Sequence, residues 1–331
     1  MPKEIVKKLG EPSSITTNTP SLRRDDWLEN FAVGIRDNTY VMSEFLPEMA
    51  VQKDSAKYRV YSPMSYFKAA PKRAETALPE QSALKYDEDI YYAEEYALEG
   101  WVSDDAVRNS PNGLDPFTDE TDYLTRKIFL TEEILIVNEI QSAVKAAGTG
   151  YYRSLTALTC WNGADANILG DLSQAIITVT NNIGKRPNLL SMNTDTYETV
   201  CADGTVQQIL AFNSPSVVTA AMPIPSLRGL RIVLADATVN AGTYETPSYS
   251  NILYDVDAVT PLRQTVIAAY VSPNDKLTLG RNFVPKAFKV LKGRGLEGDR
   301  RQASLVAVWK KLAPKVTNVN AGYVIGNVLG V

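Results

Sequence analysis

The residues Gly293-Arg294-Gly295-Leu296-Glu297-Gly298 carry the glycine spacing that lets a backbone turn approach a pyrophosphate. That chemistry needs a strand before the glycines, a helix after them and an acidic residue about 20 positions further on. Phe288 to Leu291 supplies a strand, but the chain after Asp299-Arg300-Arg301 alternates as a second strand, and position 318 is Asn. The segment therefore reads as a flexible loop joining two strands, and no cofactor is expected. Asp255 and Asp257 stand two apart, which on a strand puts both carboxylates on one face, a spacing able to hold a hard cation. Asp104-Asp105 and Glu132-Glu133 are adjacent pairs. Neighbours on a helix do not face one point, so Glu132 and Glu133 are expected to be solvated or interface charges. Cys160 and Cys201 are too few for a disulfide framework and are expected as buried free thiols in a reducing compartment.

The 331-residue chain contains no histidine, the side chain on which most general acid–base catalysis and many metal sites rely. It also lacks a phosphate-binding lysine loop, a nucleophile elbow and a basic–aromatic stretch of the RNA-binding kind. The expectation is a protein without a catalytic site or a bound metal. A formal net charge of −4 argues against a dedicated nucleic-acid binder, while a surface that lies beside DNA without gripping it stays open. Hydrophobic residues at 44% and charged residues at 22% suit a soluble globular chain. No apolar run approaches the ~18 residues of a membrane span, so no membrane partner is expected. The N-terminal Met1 to Lys8 has lysines without an apolar run behind them, so a cytoplasmic protein without a secretory signal is expected.

The elements that must position these residues form an uneven series. Residues 1–50 read as an extended arm: Pro12, Pro20 and Ser13 to Thr19 give no period, and a short helix starts near Arg24 to Asp26 and runs through Trp27, Leu28 and Phe31. Residues 51–100 read as a long two-stranded excursion. One arm begins at Tyr58, Val60 and Tyr61, and the other holds Leu84, Tyr86, Ile90 to Tyr92 and Tyr96. Between them lies a polar tip, Ser65 to Gln81, with Lys68, Lys72, Arg73, Glu75 and Glu80. At ~3.3 Å per residue each arm has a reach of about 50 Å. A bare ribbon has little stability in water, so its tyrosines are expected to pack on another copy and its tip charges to meet charges there. An internal sheet of an ordinary domain is the competing reading.

Asn109 to Pro116 is a turn cluster, followed by Thr118 or Asp119 as the cap of a helix from about Thr121 to Ala147, closed by Gly148-Thr149-Gly150. It is about 40 Å long and apolar nearly all round in its middle, which makes it a buried spine. Residues 151–270 read as α/β, with helices near 171–182 and 195–203 and strands at 188–192 and 230–235. Strands are expected again at 288–291, 304–309 and 322–328. Glu297, Asp299, Arg300 and Arg301 form a compact mixed-charge cluster, either a solvated turn or a charge-complementary contact with another copy.

This order of arm, excursion, spine helix, α/β domain and returning strands resembles the major capsid proteins of tailed bacteriophages. Local strings add to it. Glu95-Tyr96-Ala97-Leu98-Glu99-Gly100-Trp101-Val102-Ser103-Asp104-Asp105 is similar to that family's passage from extended loop to spine helix. Trp161, Asp171-Leu172 and Gly184-Lys185-Arg186-Pro187-Asn188 are similar to its entry into the axial domain, and Leu227 to Val233 to a later strand there. Val308-Trp309-Lys310-Lys311 and Ala321 to Ile325 resemble its closing strands.

The resemblance, over about residues 30–331, implies an α+β HK97-like capsid fold. Residues 1–50 become the N-terminal arm, 51–100 the extended loop, 101–150 a peripheral domain with the spine helix, 151–270 the axial domain and 271–331 the returning peripheral strands. It implies a shell subunit assembling with itself as pentamers and hexamers around double-stranded DNA held without sequence-specific binding. Its place would be the virion capsid, assembled in the host cytoplasm. Scaffolding, portal and decoration proteins are further partners of that family. The arm is too short for the cleaved scaffolding segment of some members. The lysine–asparagine cross-link of others is not carried over, because no asparagine matches Lys68, Lys72 or Lys85. An encapsulin-like compartment shell shares the fold and is the first alternative; an α/β enzyme with a carboxylate-bound metal is the second.

Overall fold

The computed structural model describes residues 23–34, 40–73, 75–76, 78–111, 114–213, 226–240, 242, 246–255, 263–286 and 288–330. The chain divides into two compact units: residues 1–35, 97–125 and 288–309 form the first, and residues 36–96, 126–287 and 310–331 the second. Most of the expected arm lies outside the described residues.

In the first unit, strand Lys289–Gly293 pairs antiparallel with the start of strand Ala303–Val316, from Lys289 opposite Trp309 to Gly293 opposite Leu305. Arg23–Arg24 adds to the free edge opposite Leu291 and Lys292. Ala303 and the continuous apolar run Leu305 to Val308 are buried, as are Leu28 and Ala32 of helix Asp26–Gly34. The segment expected as a flexible loop is instead a six-residue helix, Leu296–Arg301, ended by Gln302 in the left-handed region at φ 49°. Gly298 is needed for close approach, since a Cβ there would lie 2.5 Å from the Ala303 carbonyl oxygen.

The second unit is built on a six-stranded sheet ordered Tyr152–Ser154, Gly322–Gly326, Val266–Ala269, Leu189–Met192, Leu230–Leu234, Ser226–Leu227. Leu189–Met192 and Leu230–Leu234 run parallel, as do Gly322–Gly326 and Tyr152–Ser154; the other pairs are antiparallel. Val266–Ala269 is buried at every position, the run expected of a strand covered on both faces. Helix Ile168–Ile183 contributes Ile168, Leu172, Ala175, Val179 and Ile183 to the core, spaced three or four apart on one face. Asn167 caps its start, and Gly184 at φ 67° ends it.

The long helix runs Pro116–Ala147, about 48 Å. It starts five residues before the expected Thr121. Pro116 belongs to the first turn, where its missing N–H costs nothing, and the Asp115 carboxylate accepts from the Phe117 N–H at 3.1 Å. From Ile128 through Val137 no residue is exposed, so the middle of the helix is buried as expected. Further along the same strand, the end of Ala303–Val316 pairs antiparallel with Gly280–Val284, which runs parallel to Glu48–Ala50, all within one six-stranded sheet.

The excursion is shorter than its sequence suggested. Ser55–Tyr61 and Tyr86–Tyr92 pair antiparallel over seven residues each, roughly 23 Å, and residues 62–85 form the loop that joins them. Its base is anchored in its own chain. Tyr91 stacks on Phe283 with ring centroids 4.4 Å apart, Tyr58 meets the same ring at 5.2 Å, and Ala313 completes the cluster. Alternation puts Tyr58 and Tyr91 on the face toward Phe283, so these two tyrosines do not await another copy. No described helix is long and apolar enough to cross a membrane.

Candidate functional site

At the joining loop the chain leaves apolar groups in water. In or beside the loop Leu78 is 92% exposed, Met64 82% and Phe67 51%, with Tyr66, Leu84 and Tyr86 also exposed; along the ribbon Ile90 and, at its far end, Tyr92 are exposed too. Lone exposed hydrophobics are ordinary; a run of them on one excursion marks a surface that another molecule covers. Of the expected tip charges, Lys68 and Glu80 pair with each other at 2.9 Å across the loop, which fixes its two limbs. Lys72, Arg73 and Glu75 are exposed. The apolar tip residues were missed in favour of the charges around them; Met64, Phe67 and Leu78 inside a Pro-containing polar stretch were the available signal. The loop passes close to Gly184, where an added Cβ would lie 2.9 Å from the Phe67 ring.

The second candidate surface is the helix Leu296–Arg301. Arg301 pairs with Glu297 at 2.8 Å and lies over the Trp101 ring, 5.1 Å from its centroid. Arg294 holds Asp299 at 2.8 Å and Asp104 at 2.9 Å. Glu297, Asp299 and Arg301 thus satisfy one another or their own unit. Arg300 is exposed and has no ion-pair partner among the described residues. Adjacent Asp105 pairs with Arg108 at 3.5 Å.

Glu132 and Glu133, expected in solvent or at an interface, are instead buried at 5% and 2% exposure. Lys310, itself 5% exposed, donates to Glu132 at 2.6 Å and to Glu48 at 2.9 Å, and the Asn282 amide donates to Glu132 at 2.8 Å. Glu133 accepts the Met42 N–H with both oxygens, at 3.0 and 2.9 Å. Burial drives the Glu133 carboxyl up to about 7, against the lowering effect of these backbone donors. The network ties the long helix to residues 42 and 48 and to the strands around Asn282 and Lys310. The geometry is one of fastening and aims no group at an open cavity.

Asp257 lies outside the described residues, and of Asp255 only the backbone is described. Among the described residues no group of three or more Cys, Asp or Glu side chains is arranged to hold a metal. Cys160 is buried and free; Cys201 is free and half-buried, not fully buried as expected.

No protein-family model and no curated protein sequence matches the chain. Solved structures do. A phage-related protein from Bordetella bronchiseptica RB50 superposes with a TM-score of 0.71 at 18% identity, covering 93% of this chain and 98% of that one. The capsid of cyanophage P-SCSP1u gives 0.58 at 10% identity over 86% and 87% of the two chains. A virus-like particle from Pyrococcus furiosus gives 0.54 at 14% identity over 91% and 98%. From the ribbon and its loop through the long helix to the six-stranded sheet, the chain has the HK97-like fold of phage capsid structures.

Proposed function

We propose that this chain is the major capsid protein of a tailed phage, a structural and non-catalytic subunit that assembles as pentamers and hexamers into an icosahedral shell around double-stranded DNA. The observation that carries this reading is the exposed apolar loop: a self-contained protein gains nothing from holding Met64, Phe67 and Leu78 in water, whereas a shell subunit covers them with a neighbour. The likeness to assembled capsids over nearly the whole chain supports it. In this reading residues 1–50 are the N-terminal arm, 51–100 the extended loop and 101–150 the start of a peripheral domain. Residues 151–270 form the axial domain and 271–331 the returning strands.

Lys68, Lys72, Arg73, Glu75 and Glu80 then lie where the loop meets a neighbour, and Glu297, Asp299, Arg300 and Arg301 where rings join, with Arg300 making the contact. Scaffolding, portal and decoration proteins are partners of the same reading, as are the virion location and assembly in the host cytoplasm. A compartment shell is the second reading, favoured by the shared fold of the Pyrococcus furiosus virus-like particle. Sedimentation and negative-stain imaging of the purified protein test the proposal: rings or closed particles are expected, and a sharp monomer across several salt and pH conditions would overturn it. Nucleic acid recovered from particles made in the native host separates the first reading from the second.

A further inference from the structure

The parallel strands Leu189–Met192 and Leu230–Leu234 carry opposite charge at their two ends. At the ends where both strands begin lie Lys185, Arg186 and Arg228. Lys185 is neutralised by Asp275, and Arg231 just beyond by Glu44. Arg186 instead donates to the Arg228 carbonyl, and Arg228 donates to the Ser173 hydroxyl, so neither exposed guanidinium has a carboxylate partner among the described residues. Arg228 and Gly229 form the two-residue turn of the hairpin Ser226–Leu227 to Leu230–Leu234, both at positive φ, 53° and 80°. Such turns favour Asn, Asp or Gly at the first position. The sequence has Arg there, exposed at the turn, with its guanidinium on the Ser173 hydroxyl.

Where the same strands end, about 13 Å further along, lie Asp195, Glu198 and Asp236. Asp195 and Glu198 are exposed, and none of the three has a cationic partner among the described residues. Asp236 is held in place by the Thr194 N–H at 2.7 Å and its hydroxyl at 2.6 Å. Asp195, Asp236, Asn251 and Tyr249, which is 70% exposed, line an open cleft of about 460 Å³. A turn with two guanidiniums and a cleft with carboxylates, neither set ion-paired among the described residues, thus lie at opposite ends of one strand pair. Head-to-tail ring contacts require this arrangement, in which each copy presents one face to the copy before it and the complementary face to the copy after.

We propose that within a ring the Arg228-Gly229 turn and Arg186 of one copy seat at the acidic cleft of Asp195 and Asp236 on the next copy, with Glu198 one helical turn from Asp195 adding to its negative charge. This rests on the shell-subunit reading and names the residues through which its rings close. The test compares four samples at moderate salt: wild type, Arg228→Asp, Asp195→Arg, and an equimolar mixture of the two variants. Asp suits the left-handed turn, so the hairpin is preserved. Thermal unfolding confirms that each variant folds, and Glu198→Arg replaces Asp195→Arg if the latter unfolds early. Each variant alone is expected to lose roughly tenfold or more of its assembled fraction in sedimentation, through like charges at every contact. The mixture is expected to recover assembly, because alternating copies match at each contact of an even-numbered ring. Variants that assemble like wild type, or a mixture no better than its components, would overturn the contact and leave the shell reading standing. A wild type that stays monomeric in the same series would reject both.

Discussion

The six-stranded sheet of the second unit and the loop at residues 62–85 belong to the same unit and treat apolar side chains in opposite ways. Leu190 and Ile267 are fully buried, whereas Leu78 stands almost wholly in water. The interior of the sheet is self-sufficient: strand Val266–Ala269 is buried at every position, and helix Ile168–Ile183 is amphipathic with both ends capped. In the loop Lys68 pairs with Glu80, and the apolar groups Met64, Phe67 and Leu78 stand uncovered. On the proposed shell reading, the difference separates the buried interior that makes the chain fold from the exposed groups through which copies would associate. Substitutions in the two regions should therefore divide cleanly between stability and assembly.

Leu190→Ala is expected to destabilise the subunit by ~3 kcal/mol, the cost of a buried cavity, with assembly falling only as the folded fraction falls. Leu78→Ala is expected to change stability by no more than about 0.5 kcal/mol while lowering particle yield. Urea unfolding alongside sedimentation checks both. Equal effects on the two readouts would erase the distinction.

A sharper probe lies in the buried carboxylates. The Glu133 carboxyl is raised from 4.5 to about 7 by burial. Its contribution to stability is thus fully present below 4.5 and is lost as pH rises through about 7, because the folded state must then hold a buried anion. Between pH 5.5 and 8 this amounts to roughly 2 kcal/mol. Glu133→Gln removes the titration, and with no histidine in the chain few other groups change charge in that window. The wild-type subunit is expected to lose stability over this range relative to the variant. Parallel pH profiles would show that Glu133 stays ionised in the fold.

The smallest effect on stability belongs to Arg300→Glu. Arg300 is exposed and has no ion-pair partner among the described residues, so the thermal midpoint should hold while particle yield drops through repulsion where rings join. Unchanged yield would mark this helix as a solvated turn. Reversing Arg301 as well would confuse the result, because Arg301 already serves Glu297 and the Trp101 ring.

What could be read from the sequence depended on how local its cause was. The long helix was legible through its turn residues and apolar middle, and its start was misplaced because Pro116 was read as part of a turn when it opens the first helical turn. Strands Leu189–Met192 and Leu230–Leu234 were legible from short apolar runs; their parallel pairing was not. The helix Leu296–Arg301 was read as a loop, although Glu297 and Arg301 stand four apart, the spacing of a helical ion pair. Glu132 and Glu133 were misplaced because their partners are remote: Lys310 is 178 positions from Glu132, and Met42 is 91 from Glu133. No local pattern announces such a partner. The exposed tip was located correctly, but its charges were weighed above its apolar groups.

The most direct test replaces Tyr66 through Ala83 with a short Gly-Ser turn. The ribbon base, held by Tyr58, Tyr91 and Phe283, lies outside the replaced segment. The shortened protein should therefore keep its far-UV spectrum and cooperative thermal unfolding, and negative-stain images should show no closed particles. Closed particles from the shortened protein, or failure to fold, would contradict the assignment of this loop to assembly.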